Sequence, residues 1–94
     1  MKYLKFNVNH IIMVRLKEKG IEHIVNKHNE IMPLKYQTSF SEIRRKANEF
    51  GYHSFQLWDF IDIFGNLGMG SCDYFDTDIV FNSKDLNPFE FTGK

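Results

Sequence analysis

The chain has 94 residues, 43% hydrophobic and 26% charged, which suits one small globular domain and argues against a disordered segment. Twelve Lys and Arg offset twelve Asp and Glu, so a uniformly basic nucleic-acid glove and an acidic mimic of DNA are excluded. The single cysteine, Cys72, excludes an internal disulfide framework and a multi-cysteine zinc site.

The first residues carry neither the long apolar run nor the small-residue cleavage site of a secretory signal. The longest unbroken apolar stretch, Ile11 to Val14, falls far short of the roughly 20 residues of a membrane span. These patterns predict a cytoplasmic protein with no membrane partner and a free Cys72 thiol. Aromatic residues make up 16% of the chain. In a domain this small, some of those rings are expected at the surface or in a subunit interface, and a homo-oligomer is as well supported as a monomer.

Alternation of Ile12, Val14 and Leu16 against Ile11, Met13 and Arg15 predicts a strand over residues 10–16. One face of it is apolar and the other mixed, which predicts at least partial cover on both sides, by helices or a partner chain. Ile21, Ile24, Val25, His28 and Ile31 follow helical spacing and predict a helix over about 17–32, stopped by Pro33. Gly20 is expected to weaken its first turn by up to about 1 kcal/mol relative to Ala. Ser39 and Glu42 have the spacing of a capping box and open a second helix over about 40–50, with Gly51 in a left-handed cap. A third helix is expected over about 54–64, opening at His53-Ser54 and ending at Gly65. Its dense apolar set, including Trp58 and Phe64, makes it the expected main source of core area. The glycines of residues 65–72 read as a connection. Phe75, Thr77, Ile79 and Phe81 then alternate as a strand over 75–81, and Leu86 to Phe91 as an edge strand or docking arm. The expected fold is a single α+β domain over 1–94, with a small, largely antiparallel sheet packed against three helices.

Charge is balanced overall but divided along the chain. Residues 1–50 hold ten Lys or Arg and five Asp or Glu, net +5; residues 51–94 hold two and seven, net −5. Two oppositely charged halves can fold against each other, or form a bipolar surface that orients one partner. Arg44-Arg45-Lys46 is the densest basic run. On a helix its members fan across a solvated face; alternatively Arg44 and Arg45 fork onto a phosphate or an acidic surface, with Tyr36, Phe40 or Tyr52 stacking a base. Asp59, Asp62, Asp73, Asp76 and Asp78 cluster in the second half. They lack the spacing of a calcium loop and read as polar faces of amphipathic elements, so no metal and no cofactor is expected. His10, His23, His28 and His53 show no paired metal-ligand spacing, and His28 reads as a half-buried, hydrogen-bonded residue. Cys72 has no neighbouring base to activate it. The glycine run follows a helix and lacks the Lys-Ser/Thr of a phosphate loop. No catalytic residues are expected, and the chain does not read as an enzyme.

Two stretches carry a resemblance. Val14-Arg15-Leu16 running into a helix interrupted by Gly20, and Phe55-Gln56-Leu57-Trp58-Asp59-Phe60 through Phe64-Gly65 followed by Phe75-Asp76-Thr77-Asp78-Ile79, resemble small bacteriophage proteins without an assigned activity. The resemblance implies a phage or prophage accessory protein. In that setting the expected function is inhibition of a host defence protein, anti-CRISPR-like or directed at another defence system. The expected binding residues are Arg44, Arg45, Lys46, Tyr36 and Tyr52. An oligomeric sponge that sequesters a nucleotide signal through the same residues is the alternative, and a nucleic-acid-binding accessory protein a weaker one.

Overall fold

The computed structural model describes residues 2–67 and 72–91. Strand β1 covers Tyr3–Lys5 and β2 Ile11–Arg15; helix α1 covers Glu18–Ile31 and a 3-10 turn Leu34–Tyr36. Helix α2 covers Phe40–Arg45, strand β3 Tyr52–Gln56, helix α3 Leu57–Phe64, β4 Val80–Phe81 and β5 Asn87–Phe89. Three helices pack with small antiparallel sheets, so the fold is α+β.

β2 is the centre of a three-stranded sheet in the order β3-β2-β4. Its register with β3 runs from Ile11 opposite Gln56 to Arg15 opposite Tyr52, and with β4 from Ile12 opposite Phe81 to Met13 opposite Val80. Because side chains alternate and opposed residues share a face, Ile12, Val14, His53 and Phe55 point one way. Ile11, Met13, Arg15, Tyr52, Ser54, Gln56 and Val80 point the other. The first face is the core side: Ile12 and Val14 are fully buried and cluster with Phe60, Phe64 and Phe75. Those three phenylalanines meet with ring centres 5.0–5.2 Å apart, within the range of favourable aromatic pairs.

Both ends of α3 are closed by other elements, which explains how a helix of 8 residues is stable far below the length at which isolated helices form. At its start, Leu57 N–H donates to His10 O (3.1 Å) and Trp58 N–H to Val8 O (3.0 Å). At its end, Ile61 O accepts from Gly65 N–H and Phe64 O from Leu67 N–H. The two carbonyls between them are reached from α1: Lys27 Nζ donates to Asp62 O and His23 Nε2 to Ile63 O, each at 2.7 Å. All four terminal carbonyls of the helix are therefore satisfied.

Several expected boundaries move. Residues 52–56 form β3, so the third helix begins at Leu57 rather than near residue 54. The dense apolar set from Phe55 to Phe64 hides this change of period, and only His53 and Phe55, two apart on the core face, mark the strand. Trp58 is 48% exposed and Phe64 buried, so only the latter is core. α2 stops at Arg45 rather than near residue 50 because Asn48 builds a turn: its Oδ1 accepts from Phe50 and Tyr52 N–H, while Gly51 takes a φ of 85°. Ser39 caps α2 as expected, accepting from Glu42 N–H. Ile31 is exposed, leaving Ile21, Ile24, Val25 and His28 as the inner face of α1.

The strand expected over 75–81 is paired only at its ends, Phe75 with Leu16 and Val80–Phe81 with β2. Between them the segment bulges, with Asp76 Oδ1 accepting from Asp78 N–H to form the turn. β5 pairs with β1, Tyr3 opposite Phe89, so the segment after Asn82 docks on its own chain. Gly68 to Ser71 of the glycine-rich connection, and residues 92–94 of the tail, lie outside the described residues. Among the described residues no helix is long and apolar enough to cross a membrane.

Candidate functional site

The residues expected to form one binding site lie in three places. Tyr36, in the 3-10 turn, and Lys46, at the end of α2, line one open cleft. Arg44 and Arg45 are exposed on α2 and are not among the residues lining that cleft. Tyr52 is on the opposite side of the sheet, with the Arg15 guanidinium 4.7 Å from its ring centre. The separation follows from strand alternation, since Tyr52 and His53 must project to opposite faces.

The cleft has a volume of about 550 Å³ and lies among α1, the 3-10 turn, α2, β3 and α3. Ile24, Ile43, Phe55 and Ile63 form its apolar walls. His53 stands among them, 6% exposed, with Nε2 donating to Ile43 O at 2.7 Å. Its Nδ1 is buried without a partner. Asp59 is half-buried on α3, and Glu42 accepts from Thr38 Oγ1 at 3.0 Å. His28 donates from Nε2 to Tyr36 O at 2.9 Å, fixing the 3-10 turn against α1. That is the hydrogen-bonded, half-buried histidine the sequence predicts. Tyr36 is exposed, and Lys35 Nζ lies 4.9 Å from its ring centre. With Glu42 and Asp59 beside Lys46, the cleft does not present the concentrated positive charge that a phosphate would require.

The other surface is the outer face of the sheet. Antiparallel sheets with one solvated face normally place polar residues there. Here Ile11 is 48% exposed and Val80 37% exposed, with half-buried Met13 between them. Tyr52 under Arg15 closes one end of the row; Arg15 is held in turn by a bond from Nη2 to Phe50 O (3.3 Å). At the other end the Trp58 indole donates to Gln56 Oε1 (3.1 Å), and Gln56 Nε2 donates to Asn9 O (3.0 Å). Trp58, Ile11 and Arg15 were not singled out by their spacing as binding residues. The signal was present in the mixed outer face of β2, but which side the helices cover is a tertiary fact.

Asp62, Asp73 and Asp78 are exposed and Asp76 caps a turn. Among the described residues no group of three or more His, Cys, Asp or Glu side chains is placed to hold a metal ion. Cys72 is exposed and free. Compared with family models, curated proteins and solved structures, the chain matches none of them.

Proposed function

We propose that the protein is a non-enzymatic phage accessory protein that binds and inhibits a component of host defence, using the outer face of its sheet as the contact. The observation that supports this reading is the composition of that face. Ile11, Met13 and Val80 form an apolar strip flanked by Trp58 and by the Arg15–Tyr52 stack. Trp, Tyr and Arg are the residue types that dominate binding energy at protein interfaces. Both anchors are held by hydrogen bonds within the chain, so little freedom remains to be lost on docking. The phage setting follows from the resemblance of the Val-x-Leu strand and the Leu-Trp-Asp helix.

The test is phage plating on cells that carry a defence system and express this chain. The wild-type chain is expected to restore plating. Ile11→Asp and Trp58→Ala change exposed residues, should leave circular dichroism unchanged, and are expected to abolish the restoration. If Arg44→Ala with Arg45→Ala abolishes it and the two sheet-face variants do not, the contact lies on α2. If the purified chain carries a bound nucleotide and every surface variant still restores plating, the protein acts as a sponge and the inhibitor reading fails.

A further inference from the structure

β3 is an edge of its sheet: the order is β3-β2-β4, and among the described residues no strand lies on its other side. In an antiparallel pair, alternate residues turn their backbone N–H and C=O toward the partner strand and away from it. Three contacts fix that phase in β3. Leu57 N–H donates to His10 O, so residues 53, 55 and 57 face β2. Arg15 O accepts from Asp76 N–H on the far side of β2, so Arg15 and the opposed Tyr52 turn away from each other. Tyr52 bonds outward instead, its N–H donating to Asn48 Oδ1 (3.0 Å) and its carbonyl accepting from Asn48 N–H (2.8 Å), as it would with a neighbouring strand. Ser54 and Gln56 share this outward phase. Among the described residues, no loop backbone bonds to Ser54 N–H, Ser54 O or Gln56 N–H. Exposed edges are ordinarily shielded by charged residues, proline or a bulge. β3 has none of these: Tyr-His-Ser-Phe-Gln carries no Lys, Arg, Asp, Glu or Pro, and its register with β2 is one to one. The open edge also borders the cleft of about 550 Å³, which Ser54 and Phe55 line together with Ile24, Ile43 and Ile63.

We propose that the β3 edge takes up an extended segment of another polypeptide as an added antiparallel strand, with one apolar side chain of that segment in the cleft. The groups left open determine this occupant. Ser54 offers one donor and one acceptor in the plane of the sheet, the pair that a single residue of an antiparallel strand satisfies. The segment's next residue, opposite Phe55, then points to the core side, where Ile24, Ile43 and Ile63 form apolar walls. A second copy of β3 fits less well. In a symmetric pair centred on Ser54, each Gln56 would face a Tyr52 whose backbone Asn48 already holds. The contact uses the edge of the sheet rather than its outer face, and it does not depend on the inhibitor reading.

The experiment selects a displayed library of random nine-residue peptides against the whole chain. The strongest binder is synthesised with blocked ends and titrated while amide chemical shifts are recorded. The selected peptides are expected to share one apolar position, and the titration to shift the Ser54, Phe55 and Gln56 amides. N-methylation of the peptide, one position at a time, should weaken binding about tenfold where the N–H pairs with Ser54 O, and little at the adjacent positions, whose N–H groups point away. That arm alters only the peptide and so leaves the fold untouched. Ser54→Pro removes the outward N–H without touching the ladder to β2, a position where edge strands accept proline, and should also weaken binding about tenfold or more. Ser54→Ala should bind as wild type. The proposal is overturned if no peptide shifts the β3 amides, or if every N-methylated peptide binds as tightly as the parent. It is equally overturned if the chain alone sediments as a dimer that Ser54→Pro dissociates, since a second copy is then the occupant. Peptide binding is read without phage or a defence system, so failure here and failure of the inhibitor reading are separable.

Discussion

Gly20 lies in the first turn of α1 against the carbonyl of Tyr74, and a Cβ placed on it would overlap that oxygen. The neighbouring Lys17 N–H donates to the same oxygen at 2.9 Å, and Lys17 Nζ donates to Cys72 O at 2.7 Å. The glycine that helix propensity marks as a weak point is therefore the residue that lets α1 approach the 72–75 segment. Gly20→Ala is expected to destabilise the protein by about 1–3 kcal/mol, where propensity alone predicts a gain of about 1 kcal/mol. Urea unfolding gives the sign directly. His53 shows the same limit of sequence reading. Its place on a strand was hidden by the aromatic run after it, so neither its burial nor its pairing with Ile43 was legible.

At the scale of elements, α3 depends on side chains from α1. Its C-terminal carbonyls Asp62 O and Ile63 O are reached by Lys27 and His23, one helical turn apart on α1. His23→Ala and Lys27→Ala should each cost about 1 kcal/mol, the net value of a typical hydrogen bond. The Lys27 bond has a charged donor and also complements the negative end of the α3 dipole. Guanidinium chloride midpoints, with unchanged slopes, would check both values. The helices were legible because Ile21, Ile24 and Val25, and then Ile43, keep helical spacing, and because Ser39 and Glu42 mark a cap. The end of α2 was not, because the Asn48 turn competes with helix continuation through a side chain whose partners lie ahead of it. The bulge at Asp76–Asp78 was hidden for a similar reason. Alternation of Phe75, Thr77, Ile79 and Phe81 continues through it, and only the Asp76 carboxylate turns the backbone away from β2.

At the scale of the molecule, stability is expected to be uneven. β2 and β3 hold the fully buried Ile12 and Val14, whereas β1 and β5 form a separate two-stranded ribbon with Tyr3, Leu4 and Phe91 exposed. Ribbons of two strands are marginal alone, so amide exchange should be slowest at Ile12, Val14 and Phe55 and fast at Leu4 and Phe89. The opposite charges of the two halves contribute less than their sum suggests. Lys17 and Lys27 cross between the halves, yet each donates to a backbone carbonyl. Melting temperature should therefore change little between low and high salt, unlike that of a fold held by surface ion pairs. By itself the sequence determined the α+β class, the apolar face of β2, the inner face of α1 and the cap of α2, because periodicity and capping are local. Only the tertiary structure decided that Tyr36 and Lys46 share a cleft with His53 while Tyr52 lies behind the sheet. It also decided that one sheet face stays open and that α3 is closed by residues of sequence-distant elements, from Val8 and His10 at its start to His23 and Lys27 at its end. Each of those outcomes depends on which non-local surfaces meet, and no spacing along the chain encodes that.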